Sequence, residues 1–122
     1  MSIEVTQISL EKFEQRQLDF SRSDFMQSAA FARTQLGMGS YVGLEAVEIT
    51  DGDRLIGQSI ITYRPHMKFF KKACIYQGPL MDYSDLTLVK AVISAIELYV
   101  NKKAQILEFH SSIENLIYND KL

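Results

Sequence analysis

Gly78-Pro79 is the feature that most constrains this chain. Proline has no N–H and fixes φ, so the apolar run Ala73-Cys74-Ile75-Tyr76 cannot extend through it as an ordinary paired strand. The stretch Tyr76-Gln77-Gly78-Pro79-Leu80-Met81-Asp82-Tyr83-Ser84-Asp85 then reads as a strand-to-helix crossover. Asp82 shapes the turn by accepting from nearby backbone N–H groups. Ser84 or Asp85 caps the next helix by accepting from the orphan N–H groups of its first turn. That helix is expected from Asp85 to about Asn101. Leu86, Val89, Ile93, Ile96 and Val100 recur every three or four positions and define one buried face. Asn101-Lys102-Lys103 ends it with positive charge where the helix dipole favours it.

Ahead of this stretch, Ile3 to Ile8 alternates apolar and polar residues as a half-buried strand does. Ser9 caps a short helix with Leu10, Phe13 and Leu18 as its apolar positions, Lys12 standing where a capping box prefers Glu. Ser21-Arg22-Ser23-Asp24 is a loop, and Ser28 to Leu36 a second short helix stopped by Gly37. Tyr41 to Ile49 alternates again, with a slip in parity at Ala46-Val47 that reads as a bulge. Asp51-Gly52-Asp53 is a hairpin turn, because glycine tolerates positive φ, and Arg54 to Tyr63 is the return strand. Arg64 to Lys72 reads as a loop in which basic and aromatic residues interleave. Ala104 to Phe109 is a strand after the long helix, and His110 to Leu122 has the apolar spacing of one more short helix. The order is a hairpin meander followed by strand–helix–strand. It specifies an α/β (α+β) fold, a mixed sheet with a central antiparallel hairpin and helices on its faces.

Composition limits the function classes. The 122 residues are 47% apolar and 23% charged, which makes one globular domain rather than a disordered chain. A net charge of −2 gives no overall basic field for nucleic acid. Cys74 is the only cysteine, so there is no internal disulfide and no cysteine metal cluster; its apolar surroundings mark it as a core residue. His66 and His110 are the only histidines, too far apart for a metal signature, and both read as structural or exposed residues. No run approaches the about 18–20 apolar residues of a spanning helix, and Met1-Ser2-Ile3-Glu4 does not open a signal peptide. The expectation is a cytoplasmic domain. Gly37, Gly39 and Gly78 form no nucleotide fingerprint. The basic-x-x-Gly-x-Gly/Ala loop with which an acetyl-CoA enzyme cradles pyrophosphate at a helix N-terminus is absent. In the 64–72 segment Arg64, Lys68, Lys71 and Lys72, with Phe69, Phe70 and Tyr76 near, have the chemistry to hold phosphates or stack a base; the plainer reading is a solvated hairpin loop. Asp82 and Asp85 look like paired carboxylates, but turn and cap roles account for both.

Three strings together resemble the FemABX family of non-ribosomal peptidyltransferases, most nearly its MurM and MurN type. Phe25-Met26-Gln27-Ser28 with Phe31-Ala32-Arg33 is similar to the family's Leu-x-Gln-Ser followed by Trp-Ala-Lys. Asp51 to Ile61 is similar to its acidic hairpin turn and Leu-x-Gly/Ala-x-x-x-Ile-Leu segment. Tyr76 to Asp85 is similar to its aromatic-x-x-Gly-Pro-aliphatic-x-Asp-Tyr-x-Asp. The resemblance implies a GNAT-like (acyl-CoA N-acyltransferase-like) fold. It also implies an activity: amino acids pass from aminoacyl-tRNA to the stem peptide of a peptidoglycan precursor, which builds interpeptide bridges and bears on β-lactam resistance. It implies no cofactor, with aminoacyl-tRNA as co-substrate, and as partner a UDP-MurNAc-pentapeptide or lipid II, with peripheral membrane contact. Arg33 matches a lysine that contacts the precursor's diphosphate in one family member, and a guanidinium suits phosphate. After the long helix the pattern departs: Gln105 and His110-Ser111 stand where that relative has a Tyr and an Asp-Pro. The strings match the first GNAT-like domain of a two-domain family, so the chain is expected to correspond to that N-terminal part and to be inactive alone. An apolar face left uncovered would favour a homodimer. The competing expectation is a non-catalytic binding module on the same scaffold, since fold alone does not assign function.

Overall fold

The computed structural model describes residues 2–16, 43–66, 70–76 and 79–110. The second helix expected at Ser28–Leu36, the helix expected after His110, and Arg33 and Lys68 lie outside the described residues.

The elements run β1 (Ile3–Ile8), α1 (Leu10–Arg16), β2 (Gly43–Asp51), β3 (Arg54–His66), β4 (Phe70–Tyr76), β5 (Leu80–Met81), α2 (Leu86–Val100) and β6 (Ile106–His110). They build one mixed sheet in the order β1-β2-β3-β4-β6, with β5 paired to β3. β1 through β4 are antiparallel neighbours. β6 lies parallel to β4, from Lys72 opposite Ile106 to Tyr76 opposite His110, and α2 makes the crossover. The expected mixed sheet with a central hairpin is what forms.

Local chemistry sets the boundaries. Ser9 Oγ accepts from the Lys12 N–H at 3.1 Å at the start of α1. Gly52 takes φ 61° at the tip of the β2–β3 hairpin, the conformation only glycine adopts freely. Of the two proposed caps for α2 it is Asp85 that acts, its Oδ1 accepting from Leu88 N–H at 3.2 Å. Asp82 Oδ1 accepts from Ser84 N–H at 2.9 Å. That bond holds the Asp82 carboxyl below its ordinary pKa range, as expected of a turn former.

Three expectations are corrected. First, there is no bulge at Ala46-Val47. Both residues are buried because both faces of the sheet are covered. Val47 joins the core under α2, with Ile49, Ile61, Tyr63, Ile75, Val89, Val92 and Ile96. Ala46 joins a second cluster with Phe13 of α1, Ile60 and Leu80 on the opposite face. The register shift falls instead between Ile49 and Thr50: Gly57 pairs with Ile49 and Leu55 with Thr50, leaving Ile56 as the extra residue. Second, the segment from Arg64 to Lys72 is not simply a loop. Arg64, Pro65 and His66 pair with Lys72, Lys71 and Phe70 as the end of a second hairpin. Third, the chain does not pass from Gly78-Pro79 directly into the helix. Leu80 and Met81 return to β3 opposite Gln58 and Gly57, and only then does the Asp82–Asp85 turn lead into α2. β4 and β5 thus follow one another along the same side of β3 and flank residues 77–79. The strand after α2 also runs one residue further than expected, to His110.

Candidate functional site

At one end of the sheet a cleft of about 300 Å³ is lined by Gly43, Tyr63, Lys71, Lys102 and Lys103. Its walls come from four elements. Gly43 opens β2 and pairs with Tyr63 of β3. Lys71 lies on β4, and Lys102 and Lys103 lie in the turn that leaves α2. This turn is clamped from both sides. The Lys103 and Ala104 N–H groups both donate to Val100 O, at 2.8 and 2.9 Å. Gln105 N–H donates to Lys71 O at 3.1 Å, and Lys71 N–H donates back to Gln105 Oε1 at 2.8 Å. The position at which Gln105 departs from the resembled family is therefore occupied here by a backbone stitch between β4 and the start of β6.

Beside Lys103 lies a buried carboxylate. The Glu45 side chain is 6% exposed. It sits on β2 two residues before Val47, a core-facing position. Tyr63 Oη donates to Glu45 Oε1 at 2.9 Å, and Lys103 Nζ donates to Glu45 Oε2 at 2.7 Å. Lys103 Nζ also lies 3.1 Å from Tyr99 Oη and 4.8 Å from the centre of that ring. Burial, with the Glu45 carboxylate beside it, pushes the Tyr63 phenol far above the ordinary tyrosine range, so it stays a neutral donor. The hydrogen bond to Glu45 raises the Lys103 ammonium, with Tyr99 adding to it, and Lys103 stays charged. Burial also raises Tyr99, against the opposing effect of Lys103. Tyr63, Tyr99 and Lys103 all have raised pKa values and keep their protons near neutral pH. The arrangement therefore presents fixed positive charge rather than a group ready to exchange a proton.

Of the residues singled out from the sequence, Lys71 lies in this cleft. Lys72 does not: its Nζ is 3.3 Å from Glu108 Oε1, across the β4–β6 pair. Arg33 and Lys68 lie outside the described residues. His66 and His110 are strand residues, and Cys74 is buried in the sheet. Among the described residues no group of His, Cys, Asp and Glu is placed to hold a metal ion, and no helix is long and apolar enough to cross a membrane. Sequence reasoning missed Glu45, Tyr63, Tyr99, Lys102 and Lys103 as a group. One signal was available: Gly43, Glu45, Val47 and Ile49 share parity, which puts an acid on the face that also carries two β-branched core residues.

Comparison with known proteins agrees with this architecture. A family model described as the FemAB family matches residues 5–111. The crystal structure of FemX superimposes with a TM-score of 0.65 at 16% identity, covering 83% of this chain and 25% of that one. The chain thus spans a quarter of the length of FemX. A GNAT family acetyltransferase from Staphylococcus aureus subsp. aureus USA300_TCH1516 gives a TM-score of 0.58 at 14% identity, over 91% of this chain and 87% of that one. A ribosomal-protein-alanine N-acetyltransferase from Brucella melitensis biovar Abortus 2308 gives 0.57 at 11% identity, over 98% and 90%. A search of curated proteins finds no match. The fold is GNAT-like, and the family match runs from within β1 to just past β6. By that match the chain belongs to the FemAB family.

Proposed function

We propose that the chain is the precursor-binding part of an aminoacyltransferase that moves amino acids from aminoacyl-tRNA onto the stem peptide of a peptidoglycan precursor at the cytoplasmic face of the membrane. The observation that carries this reading is the family match over residues 5–111. In the reaction, a free amine of the stem peptide attacks the aminoacyl ester of the tRNA, and the ribose hydroxyl leaves. Such a step gains most from holding the two substrates in register and from fixed charge near the developing oxyanion. Arg33 would hold the precursor's phosphates, with Lys68, Lys71 and Lys72 of the basic segment as further candidates. The engagement of Lys72 with Glu108 lowers its share in that role.

A second reading is a GNAT-like interaction module without catalysis. The side chain of Gln105, tied to the Lys71 backbone, favours it. Calorimetry of the chain with UDP-MurNAc-pentapeptide, beside Arg33→Ala, tests the first. Saturable binding that weakens in the variant supports it. Failure of the folded chain to bind the precursor would mean either that further sequence completes the site or that the chain is an interaction module.

A further inference from the structure

We infer that the outer edge of β1, together with the flank of α2 beside it, is a contact surface for a second copy of this chain, paired about a twofold axis normal to the sheet. The inference is independent of the transferase reading. β1 ends the path of the sheet, and among the described residues no strand pairs with its outer side. Edge strands are usually blunted by lysine, proline or a bulge. Ile3–Ile8 has none of these. It pairs with β2 in unbroken register and carries one charge, Glu4.

Features on the two faces of that edge fit a copy of the same chain. On one face α2 lies against β1, and Ile3 and Val5 pack on the core cluster beneath it. Leu88, Ala91, Ala95 and Leu98 recur at spacings of three and four along the same flank as Tyr99. Tyr99 Oη lies 3.1 Å from the Lys103 Nζ that binds Glu45 of β2. This flank therefore looks towards the β1 edge, as a right-handed β4–α2–β6 crossover also requires. Leu98 is 70% exposed. The row has the same spacing read from either end, so an antiparallel copy sets Leu88 against Leu98 and Ala91 against Ala95. Contact of a surface with itself needs such self-complementarity. On the other face Lys12 and Arg16 of α1 converge on Glu48 Oε2, at 3.7 and 2.5 Å. Two cations thus share one carboxylate, and Glu48 pairs with Thr6. A twofold axis normal to the sheet leaves every residue on its own face, so even positions of β1 meet even ones. With Val5 on the axis, Glu4 of the second copy falls opposite Thr6 and adds negative charge beside Lys12 and Arg16. One axis serves both faces. Tyr99 stands by Glu45, one register position beyond Ile8. Ile93, the middle of the helix row, lies roughly 9 Å of helix before Tyr99. That is about three strand residues, which brings it near Thr6. An extended peptide would fill the edge but leave Leu98 exposed.

The test is sedimentation velocity of the full chain over a wide range of concentration, with hydrogen exchange beside it. A reversible monomer–dimer equilibrium is expected, with exchange in β1 slowing as the dimer forms. Leu98→Glu and Glu4→Lys change exposed side chains on opposite faces, so the monomer keeps its urea midpoint. Each should weaken dimerisation about tenfold, roughly 1.4 kcal/mol. Glu97→Gln, on the other flank of α2, should leave it unchanged. The inference is overturned if the chain is monomeric at every concentration, which would leave this surface to another segment or partner. It is overturned as well if either Leu98→Glu or Glu4→Lys dimerises like the native chain, or if Glu97→Gln weakens the dimer as much as they do. Binding of the pentapeptide precursor bears on none of these outcomes.

Discussion

At the scale of the residue, Glu45 is where the chain departs furthest from a plain α/β core. A carboxylate with 6% of its side chain exposed is stable only if its oxygens are bonded, and here each oxygen has its own donor. Removing one donor leaves half of a buried charge unsatisfied. Lys103→Met should cost about 1–2 kcal/mol by urea denaturation, below the range of fully buried pairs because the Lys103 side chain keeps water on its outer side. The network also fixes a pH dependence. Tyr63 and Lys103 both have folded-state pKa values raised above their ordinary 10.0 and 10.5. The folded chain therefore keeps protons that the unfolded chain releases. The stability these groups contribute is complete below those ordinary values and is lost as pH rises through the folded-state ones. The urea midpoint of the native chain should fall as pH rises above about 10, and the Tyr63→Phe/Lys103→Met double variant should fall less steeply there. Equal slopes would show that the network does not set the alkaline limit.

At the scale of the element, the informative piece is β5, two residues long. Leu80 and Met81 are almost completely buried, and their backbone lies against Gly57. A Cβ on Gly57 would meet Leu80 O at 2.5 Å and Met81 Cβ at 3.0 Å, too close for either to stay in place. Gly57→Ala should cost about 1–3 kcal/mol, the range for overpacking a filled site. Protection of the Met81 region from hydrogen exchange should fall with it. A variant of native stability would mean that β5 is only loosely held. Gly57 also explains why Ile56 can be the extra residue of the bulge beside it. A glycine in a strand interior weakens the strand and marks close approach of another backbone. From the sequence, Gly57 stood inside the return strand with no sign of a partner, because that partner is two residues from a turn many positions away.

At the scale of the whole molecule, the sheet is covered on both faces, α2 on one and α1 on the other. Consecutive residues of β3 test this. Ile60 belongs to the α1 cluster and Ile61 to the α2 cluster, and both are fully buried. Ile60→Ala and Ile61→Ala should each cost about 2–5 kcal/mol. A cost for only one of them would mean that the other face is open.

The sequence by itself determined the elements whose causes are local. Ile3–Ile8, the Asp51-Gly52 turn, the Asp85 cap and the three-and-four spacing of α2 were each legible, because alternation, positive φ and capping act over a few residues. The resemblance carried by three strings was legible as well, since their order holds along the chain. Tertiary structure alone decided the rest. It placed Ala46 and Val47 in two cores where parity pointed to a bulge, because burial depends on what lies against each face. It turned most of the Arg64–Lys72 loop into a hairpin, because strand pairing extends wherever a partner lies alongside. It also gathered Glu45, Tyr63 and the Tyr99–Lys103 pair from three places in the chain, with Lys71 and Lys102 lining the cleft beside them. Such a site depends on contacts between residues up to 58 positions apart, and no local pattern records a distance of that kind.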